Sequence, residues 1–167
     1  EIKLNENALP KISGNTYSAV IKGFNNPKKI EDKNLIIFEN NLSFELTDFK
    51  DQKFQKIYLI SNKNENREIK LSEKIVNFKT GLIEDQKNQL KEKSIDCEII
   101  DISEIKKIEN CYYLYPCVGE NLDYLNSQGM NSLEFLYRNI DRNFWKYCDK
   151  GFFNFKKYIP KIIKEFF

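Results

Sequence analysis

The stretch KIYLISNKNENREIKLSEKIVNF (56–78) decides the fold. Ile57-Tyr58-Leu59-Ile60 is an apolar run without alternation, the mark of a strand buried on both faces. It stops at seven polar residues, Ser61 to Arg67. Behind them Ile69, Leu71, Ile75, Val76 and Phe78 recur at mostly helical spacing. Thr80-Gly81 reads as a break, with a second helical piece from Leu82 to about Lys93. A buried strand, a polar loop and a helix together are the opening of a crossover unit.

Working outward toward the carboxyl terminus, the same rhythm continues. DCEIIDIS (96–103) is a second strand, and NCYYLYP (110–116) is a third, stopped by Pro116. Strands separated by helices favour parallel pairing. The expected fold is therefore a Rossmann-like layered α/β sheet, mainly parallel, with strands near 57–60, 97–102 and 111–115. The first fifty residues read differently. NTYSAVIKGFN (15–25), KNLIIFEN (33–40) and LSFELTDF (42–49) are β-rich, and Asn40-Asn41 sits between two apolar runs as in a tight hairpin. The expectation is one domain of 167 residues: an antiparallel β extension over 1–55, an α/β core over 56–131 and carboxyl-terminal helices over 132–167. In the last part, Leu133, Leu136, Tyr137, Ile140, Phe144 and Tyr147 form one stripe, predicting a helix over 132–148.

Composition narrows the function classes. The 24 Lys, 20 Asn and 21 Ile against 2 Ala are the residues of A/T-rich codons, as in a low-GC organism. Lys+Arg 27 against Asp+Glu 25 is no footprint for duplex nucleic acid. No long apolar run suggests a membrane span. A chain starting at Glu1 reads as a piece of a larger protein. Cys97, Cys111, Cys117 and Cys148 have no close pair, and histidine is absent, so zinc spacing fails and reduced thiols in a cytoplasmic protein are expected. Without histidine there is no Ser-His or Cys-His nucleophile. None of the six glycines builds a dinucleotide fingerprint or a P-loop.

In a parallel sheet, ligands bind beyond the carboxyl ends of the strands. The loops there offer Ser61, Asn62, Lys63 and Arg67; Asp101 and Ser103; Gly119, Glu120 and Asn121. Hydroxyls and amides with two cations suit an anionic, nucleotide-type ligand: a nucleotide, a cyclic oligonucleotide or a nucleotide sugar. No cofactor is implied. A metal-dependent nuclease, needing Mg²⁺, is a weaker expectation resting on Asp32, Asp48 and Lys50, since hairpin pairing would set 32 opposite 49.

The sharpest periodicity lies at the end. In FKKYIPKIIKEFF (155–167) the apolar residues Phe155, Tyr158, Ile159, Ile162, Ile163, Phe166 and Phe167 hold a helical stripe. Pro160 predicts the first turn of the final helix there. Between Lys146 and Phe167 there are six lysines and two acidic residues. This basic, aromatic segment is an alternative site of function, through a partner protein or self-association, with a membrane surface less favoured.

Overall fold

The computed structural model describes residues 25–130, 132–148 and 151–166. Five strands form one sheet: β1 (Asn34–Phe38), β2 (Ile57–Ser61), β3 (Cys97–Asp101), β4 (Cys111–Leu114) and β5 (Glu134–Leu136). Their order is β3-β2-β1-β4-β5, and every neighbouring pair is parallel. The layered α/β fold expected from the sequence is thus present. Among the described residues the α-helices, in chain order, are α1 (Glu73–Glu92), α2 (Glu120–Ser127), α3 (Asn139–Trp145), α4 (Phe152–Phe155) and α5 (Ile159–Phe166).

The middle of the sheet is where the apolar runs without alternation lie. Leu35, Ile36, Ile37 and Phe38 are all fully buried, as a strand covered on both faces requires. Leu35 and Ile37 pack on one face with Leu59, Phe44, Phe49 and the α1 residues Ile83 and Leu90. Ile36 and Phe38 pack on the other with Ile60, Leu125 of α2, and Ile102 and Ile105 from the 3₁₀ segment Ile102–Lys107. The chain covers one face before β3 and the other after it. Direction reverses between β1 and β4, and that seam is where such sheets leave room for a ligand.

Three expectations need correction. Residues 33–49 form no antiparallel hairpin: 34–38 is the central strand, parallel to both β2 and β4. Its four consecutive buried residues already have the pattern of an interior parallel strand. The alternation in 42–49 instead comes from a looped segment with a 3₁₀ turn at Phe44–Leu46, which lays Phe44 and Phe49 on the sheet. The rest of the expected extension, 15–24, lies outside the described residues.

The expected break at Gly81 is absent as well. α1 runs unbroken from Glu73 to Glu92, and the burial of Ile83, Gln86 and Leu90 outweighs the roughly 1 kcal/mol a helical glycine costs. Finally, 132–148 is not one helix. Glu134–Leu136 joins the sheet edge beside β4, and helix begins only at Asn139. Pairing with an open strand edge overrode a helical period that three residues could satisfy either way.

At the carboxyl end, α5 begins with Pro160 as its second residue, as expected. Its Ile162 is buried, Tyr158 stacks on Tyr147 at 4.1 Å, and Phe155 meets Phe144 at 5.6 Å. Among the described residues no helix is long and apolar enough to cross a membrane.

Candidate functional site

The carboxyl ends of β1, β2 and β4 meet at the seam. The segments after these strands carry Asn40 and Asn41, Asn62, and Asn121, whose amides interlock. Asn40 Nδ2 donates to Pro116 O at 2.6 Å and Asn41 Nδ2 to Tyr115 O at 2.5 Å, stapling the β1 loop to the β4 loop. Asn121 Nδ2 donates to Asn40 Oδ1 at 3.1 Å, and Asn62 Nδ2 to Asn121 Oδ1 at 3.5 Å. The amides therefore form a chain in which Asn62 donates to Asn121, Asn121 to Asn40 and Asn40 to Pro116 O.

Beside this chain lies a buried ion cluster. Arg67 is 4% exposed; its Nε and Nη2 both donate to Asn62 O, at 3.0 and 2.6 Å. Nη2 also pairs with Glu39 Oε1 at 2.6 Å, and Nη1 with Glu120. Lys79 of α1 reaches the same Glu39 oxygen at 2.5 Å. Two cations and two carboxylates thus neutralise one another, and they tie β1, the β2 loop, α1 and α2 together. The planar guanidinium fork suits this multiple attachment in a way lysine cannot.

A second group closes the end of β3. Asp101 Oδ1 accepts from Ser103 N at 2.9 Å, Ser103 Oγ at 2.5 Å and Asn66 Nδ2 at 2.9 Å. Burial acts to raise the Asp101 carboxyl, yet the Ser103 and Asn66 hydrogen bonds and Lys63 outweigh it and hold it below its ordinary value. Lys63 Nζ stands 3.9 Å from Asp101 Oδ2 and its side chain is 67% exposed. Ser61 is the register partner of Asp101 across β2 and β3.

Among the described residues, two buried side-chain atoms have no hydrogen-bond partner: Asn62 Oδ1 and Asp101 Oδ2. Both are acceptors, and both stand at strand carboxyl ends. A cavity of about 590 Å³, which neither Asn62 nor Asp101 lines, opens between residues 66–71 and α2, lined by Asn66, Glu68, Ile69, Leu71, Glu120, Asp123, Tyr124 and Ser127. Gly119, at φ +128°, makes the left-handed turn that starts α2 against it.

The structure therefore brings Asn62, Arg67, Glu120 and Asn121 together, and separately groups Lys63, Asp101 and Ser103. Sequence reasoning missed Glu39, Asn40, Asn66, Lys79 and Tyr124. The signal for the first two was present: they directly follow a fully apolar run, and taking that run as a hairpin strand moved them to the wrong end.

The other candidates do not converge. Asp32 and Lys50 share the lining of a cavity of about 620 Å³ at the opposite, amino-terminal end of the strands. Asp48 does not line it; its Oδ2 accepts the Asn139 N–H at 2.6 Å. Among the described residues no group of three or more Asp, Glu or Cys is placed to hold a metal ion. Burial pushes the Cys111 thiol up to about 11, so it is protonated at neutral pH. Of the carboxyl-terminal stripe, Ile162 is buried, Phe155, Tyr158 and Ile159 are half-buried, and Ile163 is 44% exposed. The Phe166 side chain and Phe167 lie outside the described residues.

Compared with protein-family models, with curated proteins and with solved structures, the chain finds no significant match.

Proposed function

We propose that the chain is a ligand-binding α/β domain that takes a small nucleotide-type molecule in the cavity between residues 66–71 and α2. One observation carries the reading. The cavity opens at the strand ends where a doubly wound sheet offers room for a ligand, and its lining residues Asn66 and Glu120 are held by Asp101 and Arg67. A volume of about 590 Å³ falls within the range that encloses a ligand of nucleotide size. Ile69, Leu71 and Tyr124 supply apolar surface, and Lys63 and Lys70 stand exposed nearby to meet a phosphate.

Arg67 enters this reading as scaffold. Its partners Glu39, Glu120 and Asn62 O hold all three guanidinium nitrogens. The free thiols of Cys97, Cys111 and Cys117 favour a cytoplasmic setting.

A thermal-shift panel of mononucleotides, cyclic oligonucleotides and nucleotide sugars tests the proposal. A ligand near one hundred times its dissociation constant adds about 2.7 kcal/mol, a shift of several degrees for a chain this long. Ile69→Asp, at a lining position that is 79% exposed, should abolish the shift while the unliganded melt stays within about two degrees. An unchanged shift in that variant, or no shift with any class, overturns the reading.

A second reading rests on a different observation: Phe152 and Phe153 are 63% and 84% exposed beside α5. Adjacent bare phenylalanines suit a partner protein or a second copy. Sedimentation of a Phe152→Ser/Phe153→Ser chain decides it: self-association lost in the variant supports it, and equal mass in both removes it.

A further inference from the structure

Two exposed surfaces at opposite edges of the sheet have complementary chemistry. The first lies on α1, which packs against β2 and β3. Its inner stripe, Ile83, Gln86 and Leu90, is buried, yet Ile75, Phe78 and Leu82 are exposed, Phe78 by 65%. Their helical spacing puts them on one side, a second apolar stripe left bare. Gly81 stands among them with nothing within 4 Å of where a Cβ would lie. A glycine inside a helix costs about 1 kcal/mol, and its bare backbone leaves room for an incoming ring.

Beside Leu82 opens a cavity of about 290 Å³, lined also by Leu42 and Asp85 and by neither lysine nor arginine. That is just under the size of a small-molecule site and suits a protein side chain. Neutral amides hold the carboxylates here. Asp85 Oδ2 accepts from Gln89 Nε2 at 2.7 Å, and Glu45 Oε2 from Gln86 Nε2 at 3.5 Å. Among the described residues neither acid forms a salt bridge.

The second surface lies at the other edge, where α3 follows β5 and holds α5. Phe152 and Phe153 are bare there, and Lys156, Lys157, Lys161 and Lys164 are exposed. From Phe152 to Phe166 the one acidic residue is Glu165.

We infer that copies of this chain join head to tail, with Phe152 and Phe153 of one copy in the α1 groove of the next. Lys156 and Lys157 then meet Asp85 and Glu45. The inference rests on the second reading above and names the surface that receives the phenylalanines. Ile162 and the stack of Tyr158 on Tyr147 keep α5 at its own edge, so the groove is filled from another molecule. Such a contact joins unlike surfaces, and assembly continues past the dimer or closes into a ring.

Two variants at exposed positions test it by sedimentation velocity. Phe152→Ser/Phe153→Ser keeps the groove, and Phe78→Ser/Asp85→Lys keeps the aromatic end. Both should melt within about two degrees of the natural chain. The natural chain should grow past the dimer as its concentration rises. Each variant alone should lose a factor of about ten or more in association. An equimolar mixture of the two should form a 1:1 dimer that grows no further. A mixture that stays monomeric overturns the inference, because like surfaces then pair. Self-association that persists in Phe78→Ser/Asp85→Lys also overturns it and leaves the second reading standing. A natural chain that stays monomeric overturns the inference together with the self-association it rests on.

Discussion

The two ends of the sheet treat charge in opposite ways. At the amino-terminal end, Asp32, Lys50, Asp51, Lys53, Lys93 and Asp96 surround a cavity of about 620 Å³, and all six are exposed. At the carboxyl-terminal end, Glu39, Arg67, Asn62 and Asn121 are each less than 10% exposed and bonded to one another. Water solvates the first set, so its members are exchangeable. The second set has been removed from water and survives only because its geometry is complete. Polar groups at one end answer to solubility, and at the other to position.

The largest effect should come from breaking the cluster at its centre. Arg67→Met leaves Glu39 buried with Lys79 alone and strips Asn62 O of both donors. A broken buried pair costs about 3–5 kcal/mol, which lowers the melting temperature of a chain this size by about 10 °C. Differential scanning calorimetry measures it. A drop under about two degrees would mean that the cluster is as dispensable as the charges at the other end, and the contrast would vanish.

Next in size is Asn121→Leu. It removes the donor to Asn40 Oδ1 and the acceptor for Asn62 Nδ2 in one step. Leaving buried partners unsatisfied costs about 1–3 kcal/mol, read as a reduced urea midpoint with an unchanged slope. An equal loss from Asn88→Leu, an exposed position on α1, would make the amide chain ordinary.

The Asp101 carboxylate gives a smaller effect with a pH signature. Its folded value lies below the unfolded one, so its stabilisation is complete above about pH 4 and is lost as pH falls through the folded value. Asp101→Asn should therefore be less stable than the natural chain by about 1 kcal/mol at pH 7. The two should converge as pH falls below that folded value. Parallel curves over that range would show that Ser103 and Asn66 bind the side chain without regard to its charge.

How far the sequence could be read follows the same division. Layering, parallel pairing and three of the strands were legible, because KIYLIS, CEIID and CYYL carry their burial in local composition. The central strand was legible as a strand but not as a centre: NLIIF looks the same whichever neighbours it has, and Asn40-Asn41 is a hairpin turn only if the next segment is extended. Of the site, Asn62, Glu120 and Asn121 were placed by the rule that loops at strand carboxyl ends converge. The role of Arg67 was not legible, since nothing local to residues 61–67 announces that Glu39, 28 positions earlier, will face it. Long-range ion pairing has no sequence period.

The smallest expected effect completes the contrast. Lys50→Ala and Lys93→Ala each remove an exposed cation from the amino-end cavity, where ion pairs in water contribute about 0–1 kcal/mol at most. The expected change is under about 0.5 kcal/mol for either, a shift near the limit of a melting curve. That quiet outcome is informative because the same cavity holds Asp32 and Lys50, two of the three residues a metal-dependent cleavage would need. If either variant shifts the melt by more than about three degrees, or if Mg²⁺ stabilises the natural chain but not Asp32→Asn, this end binds something, and its charges serve more than solubility. If both variants melt with the natural chain in 10 mM Mg²⁺ and without it, position-dependent chemistry is confined to the end where polar groups are buried.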